Sequence, residues 1–153
     1  PPDMVPVMAT GDATPAGDAA LLAKKAKMKK ILAEAEALLQ AFKAKKGSGS
    51  RKYRRIRKIL KEAPVPNARL YEIEALISYD YNNNRSLKFA TKATELNPKA
   101  ADAWWIRGLI NYEKERKSSY MKAFREYLKL RPQERKARRM AREVGLPLPP
   151  KNK

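Results

Sequence analysis

The chain has no cysteine and no histidine. The first absence removes disulfides and thiolate chemistry, and with them any reading of the redox compartment. The second removes imidazole-based acid–base catalysis and, with the first, the usual zinc and haem sites. No metal and no cofactor is expected. No apolar run reaches the roughly 18 residues of a membrane span, and no signal peptide is legible. Because the sequence starts at Pro1, the expectation is that an initiating Met was removed or that this is an excised fragment. Compartment stays open between the cytoplasm and a bacterial periplasm. Acidic residues are outnumbered, 16 Asp and Glu against 35 Lys and Arg, for a formal net charge of +19. A field of that size attracts nucleic acid, an anionic membrane or an acidic protein. An apolar content of 43% over 153 residues is enough for one domain with a core.

Glycine is scarce, and two of the six stand in one run, Gly47-Ser48-Gly49-Ser50. Composition breaks there. Residues 1–50 hold 8 Lys and no Arg, whereas residues 51–153 hold 13 Lys and 14 Arg. Tyr and Trp are absent before the run and plentiful after it. A Gly-Ser run is what a flexible link is written with. The expectation is an engineered join, a fusion of a partner segment to the domain that binds it or the replacement of a long loop. A natural turn between helices is the alternative.

Residues 1–17, rich in Pro, Gly and Thr, read as an extended arm. Asp18 is a candidate N-cap. From there to residue 46 the apolar residues Leu21, Met28, Ile31, Leu32, Ala35, Leu38, Leu39 and Phe42 share one stripe, predicting an amphipathic helix about 40 Å long. That is longer than a small domain needs. Residues 47–50 are the link. Helices are then predicted over 51–63, 68–81, 85–96, 100–116, 118–130 and 133–144, with Gly145 as the residue that ends the last one. The tail 146–153 is Pro-rich and extended.

Prolines stand at 64, 98 and 132, each 34 residues after the last. A fixed period in this range marks a helical-repeat architecture. The stretch "ADAWWIRGLINY", with Trp104, Gly108 and Tyr112, followed by Phe124, Leu130 and Pro132, resembles the tetratricopeptide repeat family. Leu70, Ile73, Ala93, Leu96 and Pro98 carry the same resemblance one period earlier. Glu74, Arg107 and Tyr127 depart from it, at positions where the family has small or apolar residues. The resemblance covers residues 51–145. It implies an all-α protein, a right-handed superhelical stack of about three helix-turn-helix pairs closed by a carboxyl-terminal capping helix. Counting back one more period places the end of the first helix, through Leu38, Leu39 and Phe42, as the missing half of the first pair.

The family presents the first helix of each pair on a concave peptide-binding surface. Carried over by position, that lining is Ala68, Tyr71, Ala75, Ser78 and Tyr79, then Asp102, Trp105, Leu109 and Tyr112. Aromatic lining suits capture of an apolar or amphipathic peptide or helix, and the segment 1–46 is itself a candidate occupant. The competing surface is basic: Arg51, Arg54, Arg55 and Lys58 in one cluster, Arg135, Arg138, Arg139 and Arg142 in another. These can neutralise phosphates of nucleic acid or an anionic membrane, steer an acidic protein, or serve as solvated helix faces. No base-reading module accompanies them. Catalysis is not expected: Glu34/Glu36, Glu72/Glu74 and Glu113/Glu115 are spaced by two on helices and point to different faces, and no phosphate loop or nucleophile elbow occurs. The sequence therefore predicts a non-catalytic interaction scaffold or adaptor, with a basic nucleic-acid- or membrane-binding domain as the alternative.

Overall fold

The computed structural model describes residues 15–152. Among them seven helices occur and no strand: α1 Pro15–Lys43, α2 Gly49–Glu62, α3 Ala68–Ser78, α4 Asn83–Leu96, α5 Ala101–Glu113, α6 Lys117–Leu130 and α7 Arg135–Val144. Each helix packs on the next, and α1 also meets α3, as α3 meets α5. This is a superhelical stack of helix-turn-helix units with α7 as its cap. The arm expected over 1–17 lies outside the described residues as far as residue 14, and its last three residues belong to α1. Asp18 is consequently not the N-cap. It lies in the first turn of α1, where a carboxylate still complements the helix dipole.

The 34-residue period has a local cause. The second helix of each pair ends two residues before a proline, at Glu62, Leu96 and Leu130. Proline disfavours helical backbone in the residue ahead of it, and Ala63 and Asn97 are accordingly extended. The side chains that face inward form three clusters, each shared by consecutive pairs. Ile31, Ala35 and Leu39 of α1 meet Ile56 and Ile59 of α2 and Leu70, Ile73 and Ile77 of α3. Phe89, Ala90 and Ala93 of α4 lie between Ala75 and Ile106, Ile110. Trp104, Phe124, Tyr127, Leu128, Ala137, Ala141 and Leu146 close the far end. The second half of α1 is thus the first helix of the first pair.

The Gly-Ser run is a built turn. At the end of α1, Lys46 N–H reaches Ala41 O at 2.9 Å and Lys45 N–H reaches Phe42 O at 3.1 Å, with Lys45 in the left-handed region at φ 54°. That is a Schellman-type stop. Gly47 follows at φ 71°. Ser48 then caps α2, its Oγ accepting from Arg51 N–H. Lys52 folds back and donates to Lys46 O and Ser48 O. Gly49 is already helical, and a Cβ there would meet Tyr81 Oη at 2.1 Å. Tyr81 stacks on Tyr53 with ring centroids 5.0 Å apart.

Gly108 has an equally specific reason. A Cβ on it would lie 2.3 Å from Phe124 Cε1 and 2.5 Å from Cδ1. Phe124 is buried and touches Trp105, Tyr112 and Tyr120, so the ring has nowhere to go. Overpacking costs about 1–3 kcal/mol, and the gain in helix propensity on leaving glycine returns at most about 1. Gly108→Ala is therefore expected to lower stability in urea by about 1–2 kcal/mol. An unchanged midpoint would mean that α5 and α6 separate at little cost.

The three departures from the repeat pattern are each accommodated by a partner. Glu74 is fully buried. Its Oε1 accepts from Ser78 Oγ at 2.9 Å and from Arg85 Nε. Arg107 lies over the Trp104 ring at 4.5 Å and donates to Thr94 Oγ1 at 2.8 Å. Burial pulls its guanidinium below its ordinary pKa. Tyr127 is buried and donates its hydroxyl to Glu134. Burial first, then that hydrogen bond, raises the phenol well above its usual range. Burial would push Glu134 up, but the bond from Tyr127 and the cations Lys136 and Arg131 outweigh it and hold the carboxyl low.

Candidate functional site

Two polar ladders run along the first helices of the pairs and set their mutual register. Where α3 and α5 begin, Arg69 of α3 donates from Nε to Glu36 Oε1, in the second half of α1, at 2.5 Å and from Nη2 to Glu36 Oε2 at 3.0 Å. The same guanidinium donates to Glu72 at 2.6 Å and lies 3.7 Å from Asp102. Glu72 Oε2 accepts from the Ala103 amide of α5 at 3.1 Å. Asp102 meets Arg131 at 3.4 Å, and Arg131 meets Glu134, ahead of α7, at 3.7 Å. The hydrogen bond from Arg69 holds the Glu36 carboxyl below its usual range. Half-exposed ion pairs of this kind add little stability each; their fixed geometry aligns one pair on the next. At the opposite ends, Tyr79 donates to Glu113 at 2.6 Å and Tyr112 to Glu143 at 2.9 Å. Burial first, then the Glu113 contact, pushes the Tyr79 phenol up to about 12. The Glu143 hydrogen bond raises Tyr112.

This packing consumes much of the lining expected from the sequence. Ala75 and Ser78 are fully buried: Ala75 belongs to the cluster between α4 and α5, and Ser78 is turned toward Glu74. Neither lies on an open surface as expected. Tyr71 is half-buried against Phe89, 5.5 Å between centroids, with Lys92 above it. Trp105 and Leu109 pack against the cluster under α7, and Lys136 of that helix sits 4.9 Å over the Trp105 ring. Ala68 and Asp102 are half-buried. Tyr79 and Tyr112 keep exposed edges, both hydroxyls engaged as above. Tyr112 meets Tyr120 with ring centroids 5.2 Å apart and the capping helix along one side, and Tyr79 reaches Glu113, the residue after Tyr112.

The basic residues divide in a similar way. Arg51, Arg54 and Lys58 are exposed, while Arg55 is half-buried and bonded to Glu34 at 2.5 Å. Arg135, Arg139 and Arg142 are exposed. Arg138, expected on the outside of α7, is buried instead: Nη1 donates to Pro132 O at 3.1 Å and to Pro149 O at 2.9 Å. The tail folds back over it.

The most open apolar surface is one the sequence reading did not select. Every residue from 15 to 27 of α1 is exposed, and Leu21 and Leu22 are 52% and 65% exposed. Met28 is the first buried residue. At about 1.5 Å per residue, this half of the helix projects roughly 20 Å. The signal was the excess length of the helix, which no short neighbour could cover.

Among the described residues no group of acidic, His or Cys side chains is arranged to hold a metal ion, and no helix is long and apolar enough to cross a membrane. The chain matches no family model and no curated protein. The helical-repeat fold thus stands on the geometry above.

Proposed function

We propose that the protein is a non-catalytic interaction scaffold, and that the projecting half of α1 holds an acidic amphipathic helix of a partner protein. The observation that carries this reading is the uncovered helix itself, with Leu21 and Leu22 in solvent. Isolated helical segments of this length are marginal in water, and exposed leucines gain free energy when covered. Charge selects the partner. Lys24, Lys25, Lys27, Lys29 and Lys30 surround the leucines, with Asp18 the sole acid between residues 15 and 30. Two copies of this surface repel each other, whereas an acidic helix is steered to it and its heads are neutralised. The stack behind it, with register fixed by Arg69 and its partners, supplies a rigid mount. The aromatic edges of Tyr79 and Tyr112 offer a second contact for a longer partner.

The test uses two synthetic helical peptides with the same leucine spacing, one with Glu and one with Lys at the remaining positions. The Glu peptide is expected to bind the full chain with micromolar affinity. Leu21→Glu/Leu22→Glu should weaken it at least about thirtyfold, two hot-spot leucines lost, while the thermal midpoint stays unchanged because neither residue packs on the stack. Equal binding of both peptides, or binding indifferent to the double substitution, would overturn the reading. Self-association of the chain abolished by the same substitution would make a second copy the occupant.

A further inference from the structure

We infer that the cleft between α7 and the carboxyl-terminal tail is a binding site for a small ligand carrying several clustered phosphates. The cleft measures about 800 Å³ and draws six cations from its two walls: Arg135, Lys136, Arg138, Arg139, Arg142 and Lys151. No carboxylate and no aromatic ring lines it. The wall is fixed in place. Gln133 Nε2 donates to Pro150 O at 3.1 Å, the Asn152 amide donates to Gln133 Oε1 at 3.3 Å, and Leu146 is anchored in the core. A Pro-rich tail that would otherwise be loose is tied along the helix, and the tie turns a basic face into a concavity.

Charge within the cleft is unbalanced. Arg55, Arg69, Arg85 and Arg131, elsewhere in the stack, each meet a carboxylate. Of the six cations here, Lys136 alone does, at 3.5 Å from Glu134; the other five have no ion pair among the described residues. Arg138 is the decisive member. It is nine-tenths buried, lines the cleft, and its side chain donates only to two neutral carbonyls, both from Nη1. Its Nε is buried without a hydrogen-bond partner. A guanidinium taken from water in this way costs free energy until an anion meets it. The start of α7 adds to the demand. Glu134, its N-cap, makes no side-chain capping bond, so the first-turn amides are uncapped by it, at the end of a helix that favours anions.

The chemistry of the lining selects the ligand. Arginine forks match phosphate oxygens in pairs, and cations arriving from both walls suit several phosphates held close together. A single-stranded nucleic acid needs rings on which its bases stack, and the cleft provides none. The exposed stripe of Arg54, Arg57, Lys58 and Lys61 on α2 is also wholly basic, with four cations instead of six, but has only a shallow depression of about 170 Å³, so it serves as the internal control.

The experiment is calorimetric titration of the full chain with inositol hexakisphosphate and with inorganic tripolyphosphate, at about 0.15 M salt. One equivalent is expected to bind. Arg139→Gln/Arg142→Gln should weaken it by about a hundredfold, roughly tenfold for each charged hydrogen-bond donor lost, and Arg138→Met by about tenfold. Arg54→Gln/Arg57→Gln/Lys58→Gln should leave it unchanged. If Arg138→Met does not fold, the pair at 139 and 142, both exposed, decides. Preference for the inositol compound marks a sugar-borne cluster, and equal binding marks free polyphosphate. The inference is overturned if neither probe binds one to one, if the α2 substitutions weaken binding as much as those on α7, or if a single-stranded oligonucleotide displaces the probes at equal phosphate concentration.

Discussion

Replacing Arg85 by Met is expected to cost about 3–5 kcal/mol of stability, the size found when one member of a buried ion pair is removed. Glu74 has no exposed surface, and Arg85 is the cation that reaches it. With Arg85 gone, Ser78 Oγ is the remaining donor to that carboxylate, and the other oxygen already lacks one. Methionine is the proper substitute because the Arg85 side chain also lies over the Phe89 ring, 4.7 Å to its centroid, and an apolar chain keeps that contact. The loss then reports the uncompensated charge. Adding Glu74→Ala should return most of the stability, leaving a residual of about 1–2 kcal/mol for the small cavity and the hydroxyl of Ser78. Alanine is the kind of small residue the repeat pattern places there. A urea denaturation series on the two single variants and the double variant measures the coupling. If Arg85→Met loses less than about 1 kcal/mol, water reaches Glu74 and the pair is not a buried one.

That pair also shows where sequence reasoning stops. Glu74 was legible as a departure, because the tetratricopeptide repeats that the sequence resembles have a small residue at that position. Its partner was not, because Arg85 lies on the next helix and no local pattern links the two. The same division runs through the candidate site. The helices and their stops at Pro64, Pro98 and Pro132 follow from spacing, which acts along one chain segment, whereas the approach of Phe124 to Gly108 joins two helices. Burial of Ala75 and Ser78 depends on α4 and α5 closing from both sides. The cover over Trp105 and Leu109 depends on the turn at residues 131–134 bringing α7 back onto α5. Arg138 occupies an outward position on its own helix and is covered only because the aperiodic tail returns over it. The turn at residues 47–50 is a related case: its composition reads as a slack link, yet Ser48 caps α2 and Gly49 lies beneath Tyr81, so two of its four residues are held in place.

Leu39→Ala is expected to cost about 2–5 kcal/mol, the range for emptying a fully buried leucine site, and to do so in a single transition. Leu39 lies in a cluster with Ile56 and Ile59 of α2 and Leu70, Ile73 and Ile77 of α3. In a stack, each pair is stabilised by its neighbour's interface. If α1 left, three fully buried residues of α3 would open to water along with two of α2, so the end of the stack would unravel with it. A tethered ligand behaves differently. It would come off at low denaturant, with the helical signal falling by the share of α1 alone, and the remaining helices would unfold at the midpoint of the unsubstituted chain. Circular dichroism followed through a urea titration separates the two. The Gly-Ser turn gives little slack for the second outcome, since Ser48 and Lys52 tie its backbone to α2 and the Lys45 and Lys46 amides ahead of it bond back to carbonyls of α1. A single transition at lower urea makes the second half of α1 a structural member of the first pair, whatever the origin of its sequence, and leaves the half before Met28 free for a partner.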